Sequence, residues 1–506
     1  MSTIKQAVRK YASFIGPGVM VSVAYMDPGN YSTAVSSGAT YEYKLLFIVF
    51  MSNLFAVILQ CLCVKLGTVT GLDLAEMCRL HLPPWLNLIL YLGSELAIVA
   101  TDLAEVVGTA ISLEILFGIP MFYGVLLTVL DVLVVLVAYN RDGSMKQTRI
   151  FEILVSVLVA STCICFIVEL FKCDFAPGSM KAIVKGFLPL DAKIFKEANA
   201  LFLSCGIVGS TVMPHSLFLG SALVQPRLKD YDEKHGLYLE EEVDEVENVS
   251  NGAASGETAP VSTEGSKSYT FGDSSELTKK YKPSYQAIQY CLNYSYAELV
   301  LSLFIIAVFV NAAILIVAGS TLFGKPDAED ADLLSIYEML SIYISPAAGI
   351  IFALSMLFSG QSAGIVCTMA GQIVSEGFIN WSLEPWIRRL FTRAIAVVPV
   401  LIVISILGRE GVSKIMNSSQ VVLSFILPLV TAPLIWFTTN KKYMVVHTST
   451  QNPASTSSET TTLLHNSPVE TFENGPFFTI SAILTWVIIS FLNLYLIYAF
   501  ANGADI

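Results

Sequence analysis

Three clusters of residues in this 506-residue chain have types and spacings that could do chemistry. The first is Tyr-Met-Asp-Pro-Gly-Asn at 25–30 and the second Val-Met-Pro-His at 212–215, each setting a proline beside polar residues inside an apolar run. The third is Asp102 and Glu105, three residues apart in another apolar run, which share one face of a helix. An ionisable side chain inside a membrane span is costly and by default functional. Asp27 brings a hard anionic oxygen, Asn30 an amide oxygen, and unwound backbone around Met26 and Ser210 frees carbonyl groups. Those donors would suit any cation. Met213 narrows the choice, because a thioether does little for Mg²⁺ or Ca²⁺ but suits softer transition metals, while the oxygens still accept Mn²⁺ and Fe²⁺. The mixed set points to a divalent transition metal. An isolated membrane methionine is a core gap-filler; its place directly before the helix-breaking Pro214 favours a ligand instead.

The elements that must position these residues are membrane spans. Hydrophobic residues make up 54% of the chain and charged residues 14%, against about 25% charged in soluble proteins. Apolar runs long enough to cross a bilayer recur near 14–38, 44–66, 86–117, 121–139, 150–171, 197–224, 286–312, 346–373, 390–408, 417–438 and 477–500, eleven in all. Such a chain is neither a soluble enzyme nor a nucleic-acid binder, and its partner is the lipid bilayer. Basic residues at the N-terminus, around Arg141, Lys146 and Arg149, at Arg388 and Arg389, and at Lys441 and Lys442 fall on one side, which the positive-inside rule makes cytoplasmic. Lys5, Arg9 and Lys10 precede an apolar stretch without a small-residue cleavage pattern, so the first span is retained.

The net charge of −12 describes a loop more than a surface. Between Pro226 and Ser284 there are 13 Asp and Glu against 7 Lys and Arg, which leaves −6 in that one segment. It and the Ser/Thr-rich segment at about 441–475 are too polar to bury a core, and both fall on the cytoplasmic side. Nine cysteines lie mostly in apolar runs, where a thiol packs as a small hydrophobe, and no disulfide framework is expected. The breaks in the first and sixth spans are five spans apart, the trace of two inverted five-helix repeats, about 14–171 and 197–438, with a last helix at about 477–500. Broken backbone at membrane depth is tolerated only where it is buried in protein or lines a cavity. Ordinary proline kinks are the alternative, but a kink has no need of Asp27 and Asn30 beside it.

Asp-Pro-Gly-Asn at 27–30, Asp-Leu-Ala-Glu-Val-Val-Gly-Thr-Ala at 102–110, Met-Pro-His at 213–215 and Gly-Gln-Ser-Ala-Gly-Ile-Val-Cys-Thr-Met-Ala-Gly-Gln-Ile-Val-Ser-Glu-Gly-Phe at 360–378 resemble, in family order, the signatures of the Nramp proton-coupled divalent metal transporters. The resemblance covers nearly the whole chain outside the polar loops. It implies an all-α, LeuT-like fold of two inverted repeats plus an extra helix, with Fe²⁺ and Mn²⁺ as cargo, H⁺ as coupling ion and no cofactor. By position it implies Asp27, Asn30 and Met213 as metal ligands, with backbone carbonyls of Met26 and Ser210. Alanine is usual at the latter place; a carbonyl survives the change. Gln420 matches a tenth-span glutamine that joins the ligands in occluded states. Asp102, Glu105, His215 and Arg393 match the proton path; for Glu105 a structural ion pair with Arg393 is the alternative. Gly220 stands where many members carry a second histidine.

The stretch from Met213 to Asp232 and the short N-terminal tail resemble the fungal branch of the family, in particular its vacuolar iron transporters. The acidic-dileucine spacing of Glu459, Leu463 and Leu464 fits what clathrin-adaptor complexes read, and with that resemblance the vacuolar membrane is favoured over plasma membrane or endosome. Two other functions compete. An Na⁺-coupled amino-acid transporter of the same fold would have to hold a carboxylate where Asp27 repels one. A metal-sensing receptor would signal through the long acidic loop without net transport.

Overall fold

The computed structural model describes residues 16–138, 145–173, 175–189, 194, 196–238, 240–242, 279–325, 333–380, 385–447 and 469–503. Glu459, Leu463 and Leu464 lie outside them. The first span is two short helices, α1 (Pro17–Val23) and α2 (Pro28–Tyr41). There follow α3 (Leu46–Thr70), α4 (Leu74–His81), α5 (Pro84–Phe117), α6 (Met121–Ala138) and α7 (Met145–Lys172). The sixth span is again split, into α8 (Ala198–Val212) and α9 (Pro214–Ala222). After α10 (Gln225–His235) come α11 (Tyr285–Ser302), a π-helical turn (Leu303–Ala307) and α12 (Val308–Thr321), one continuous span. Then α13 (Leu333–Tyr343), α14 (Pro346–Ile379), α15 (Leu390–Ile406), α16 (Gly411–Thr439) and α17 (Pro476–Ala501) complete the chain. Gly408, at φ 64° and ψ −149°, separates α15 from α16 with a backbone shape that glycine adopts without penalty.

Among the described residues, eight helices are long and apolar enough to cross a bilayer. Of the remaining runs expected from sequence, 14–38 is the broken pair α1–α2, 121–139 falls on α6, and 390–408 is the shorter apolar helix α15. Apolar side chains face outward along the spans, as at Phe171, Ile406, Phe477 and Phe491, because the surrounding lipid is as apolar as a core.

Both breaks use one local device. Asp27 is the N-cap of α2 and Pro28 its first residue; Met213 ends α8 and Pro214 opens α9. Proline at that place has its φ preset for a helix and lacks only an N–H that would have no partner anyway. Met213 adopts φ 44°, a left-handed conformation rare for a non-glycine residue, of the kind that surrounding structure must enforce at about 1–3 kcal/mol.

The polar segments are more ordered at their ends than their composition suggests. Glu240–Glu242 pairs antiparallel with Lys279–Tyr281, and Val445–His447 with Val469–Thr471. Asp232 accepts hydrogen bonds from the Tyr281 hydroxyl at 2.6 Å and the Ser284 N–H at 2.9 Å, and burial together with that carboxylate pushes the Tyr281 phenol well above its ordinary value. Leu228, Tyr281, Ala287 and Cys291 bury one another beneath this pairing, so the expectation of a segment with no core is corrected at 225–235 and 279–284. Arg227 is buried as well, 3.1 Å from Glu152 on α7.

Candidate functional site

The two breaks meet. Asp27, fully buried, accepts the Asn30 backbone N–H at 3.0 Å and one Asn30 amide hydrogen at 2.7 Å, both on Oδ1. The same amide nitrogen donates to the Ser210 carbonyl at 2.9 Å, across 180 residues of sequence. A carboxylate and a backbone carbonyl thus converge on one electropositive group. Asp27 Oδ2 has no hydrogen-bond partner among the described residues. A buried carboxylate without a counter-charge is expensive.

The other expected residues surround that point. The Met26 carbonyl accepts a hydrogen bond from the Ser359 hydroxyl on α14. Met213 is fully buried at the second break, three residues beyond Ser210, its carbonyl taken by the Ser216 N–H and hydroxyl. The Gln420 side chain lies on Gly29, and its backbone carbonyl touches Gly209, so this residue of α16 is wedged between both breaks. Its Nε2 donates to Ser419 Oγ at 3.0 Å, and its Oε1 has no partner among the described residues.

A second cluster stands one helix away. Asp102 Oδ1 and Glu105 Oε2 on α5 each lie 3.4 Å from Arg393 on α15, all three buried. Cys367 on α14 joins them: one ligand atom each from Asp102, Glu105 and Cys367 falls within a span of 4.8 Å. His215, just past the second break, reaches toward this cluster through Thr101, 3.5 Å from its Nδ1. Pro28 packs directly on Gly108, one turn beyond Glu105, and so ties the first break to the same helix face. Gly360 and Gly364, four apart on α14, let that helix close over Thr109 and Glu105, the small-residue packing that membrane helices use.

Some of these contacts have no sign in the residue types alone. Cys367 looked like packing in an apolar run. Gln60 is a further case: its Nε2 donates to the Tyr25 hydroxyl at 2.9 Å and to the Ser216 carbonyl and hydroxyl at 3.0 and 2.9 Å, lacing α3 to both breaks. A polar glutamine within a long apolar helix was the available signal. The same Gln60 fills the space in front of Gly220, so a histidine there would first have to displace it.

Two broken helices whose polar residues meet inside a nearly all-helical bundle define a polytopic membrane transporter of LeuT-like architecture. Residues 18–252 and 268–464 match the Natural resistance-associated macrophage protein-like family, Nramp, and the chain belongs to it. It is 55% identical over 519 residues to the Iron transporter SMF3 of Saccharomyces cerevisiae, covering 100% of both chains. To the Manganese transporter SMF1 of the same yeast it is 49% identical, over 96% of this chain and 85% of that one. A crystal structure of an Eremococcus coleocola manganese transporter, in complex with an aromatic bis-isothiourea substituted compound, superposes with a TM-score of 0.72 at 29% identity, covering 98% and 89%.

Proposed function

We propose that this protein carries Fe²⁺ and Mn²⁺ across a membrane with protons as the coupling ion, and that the metal binds where Asp27, Asn30 and Ser210 meet. One observation carries this: the Asn30 amide hydrogens sit between the Asp27 carboxylate and the Ser210 carbonyl, filling with partial positive charge a place two oxygens already address. Rotating that amide by half a turn withdraws the donor, frees the Ser210 carbonyl and presents Oδ1 of Asn30 instead. A cation then has carboxylate, amide and carbonyl oxygens, with the Met213 thioether and the Met26 carbonyl at the breaks and the Gln420 Oε1 available beside Gly29. The sulfur disfavours Ca²⁺ and Mg²⁺. The names of the iron and manganese relatives support this cargo.

Asp102 and Glu105 hold and release the coupling proton. Two carboxylates beside one guanidinium leave one negative charge that a proton can cancel, and Thr101 and His215 link the pair to the metal-binding break. With the N-terminus in the cytoplasm and the acidic vacuolar lumen opposite, the gradient drives metal from lumen to cytosol, and the dileucine pattern at Glu459, Leu463 and Leu464 recruits a clathrin adaptor on the cytoplasmic side. Metal uptake by purified protein in liposomes, with internal pH recorded, tests this. Mn²⁺ flux that follows an imposed pH gradient is expected; flux indifferent to the gradient removes proton coupling, and amino-acid flux without metal flux removes the cargo.

A further inference from the structure

Away from both clusters, Glu169 near the end of α7 is fully buried. Neither of its carboxyl oxygens has a hydrogen-bond partner among the described residues. It faces a crevice lined by Val35 of α2, Phe166 of its own helix, Ile314 and Val317 of α12, Ile336 of α13 and Phe352 of α14. The crevice has no room for a water molecule, and among the described residues no lysine, arginine or histidine lines it. Among the described residues the Tyr31 phenol of α2 and the Cys165 thiol of α7 lie close enough to feel a charge on Glu169, and neither can become the cation that would balance a carboxylate; α12, α13 and α14 contribute no titratable group to the described lining. A carboxylate held with neither water, donor nor counter-charge is the least tolerable group in a low-dielectric interior; its neutral acid is tolerable.

Position gives this a directional meaning. The chain crosses the bilayer once in α1–α2, so α2, α7 and α12 finish, and α13 lies, on the side opposite the start of α1. Tyr31, next in the chain to the candidate ligand Asn30, packs tilted against Phe166 at 5.4 Å and Phe352 at 5.9 Å between ring centroids, so one aromatic layer separates the crevice from the break. Opening the break toward that side requires α2, α7, α12 and α14 to part there, and parting them lets water reach Glu169.

We propose that Glu169 is a proton-binding site separate from Asp102 and Glu105, which takes a proton from far-side water as this crevice closes and gives it back to that water when the crevice opens. An acidic compartment on that side then holds the crevice shut, and each opening releases a proton to it. No oxidant, metal or further group takes part; the O–H bond of the carboxylic acid breaks, the proton passes to water, and closure reverses the step.

The test uses the full-length protein in liposomes and needs no metal, so its failure is separable from failure of the transport assignment. Val35→Cys places a thiol on the crevice wall, and its labelling by a charged, impermeant thiol reagent is followed from the far side against pH, with the same chain lacking that cysteine as background. Labelling should rise several-fold from acid to neutral pH in Val35→Cys. Adding Glu169→Gln should make it slow and flat, and adding Glu169→Asp should keep a pH dependence with a displaced midpoint. An unchanged pH profile with Glu169→Gln overturns the proposal. If the glutamine variant does not fold, infrared difference spectra of the wild-type protein and Glu169→Asp decide it: a protonated-carboxyl band that moves between the two supports the site, and identical spectra sink it.

Discussion

The two polar centres of the bundle are built on opposite electrostatic plans. At the breaks, Asp27 is a buried carboxyl group whose partners are an amide and a backbone N–H, with no positive side chain bonded to it among the described residues. One helix away, Asp102 and Glu105 share Arg393. A centre that lacks its cation can accept one and give it up; a centre that owns a permanent cation, since arginine stays charged, can exchange only what balances the remaining charge. The first suits a travelling metal ion and the second a proton.

The sharpest way to break this contrast is to remove the permanent cation. Arg393→Gln leaves two buried carboxylates without a counter-charge and should destabilise the protein by about 3–5 kcal/mol, read as a large fall in melting temperature in detergent. A second change, Glu105→Gln, should restore much of it. If Arg393→Gln melts like the wild type, the guanidinium is not balancing the pair.

Removing the lone anion should instead spare the fold and cost function. Asp27→Ala is expected to reduce Mn²⁺ and Fe²⁺ transport by about 100-fold, equivalent to about 2.7 kcal/mol, with the protein still reaching its membrane. Wild-type transport by that variant would place the metal elsewhere. Glu105→Gln alone keeps the shape and deletes one titratable group, so metal-stimulated proton entry should fall about tenfold while metal binding, measured by calorimetry, changes less. Equal proton flux at matched metal transport would take Glu105 off the path and leave it as Arg393's structural partner. The smallest effect sharpens the first centre only: Met213→Ala should leave Mn²⁺ transport within about threefold but let Ca²⁺ compete several-fold better. Unchanged Ca²⁺ competition would show that the thioether is not the filter.

Features set by near neighbours in the chain are legible before any fold is known. Apolar runs mark spans, a proline beside Asp27 or Met213 marks where a helix must restart, and a spacing of three puts Asp102 and Glu105 on one face, because helix geometry acts over a single turn. Composition also marked the two polar segments, though not the strand pairing and small core at their ends. Long-range packing alone sets which carbonyl the Asn30 amide finds 180 residues away, that Gln420 lies on Gly29, that Cys367 stands beside the acidic pair and that Glu169 faces a dry crevice. Residue types at those positions read equally well as packing. Their chemistry comes from what surrounds them, since the energy of a buried charge or amide is fixed by the donors, water and counter-charges within a few ångströms, and helices far apart in the chain supply those.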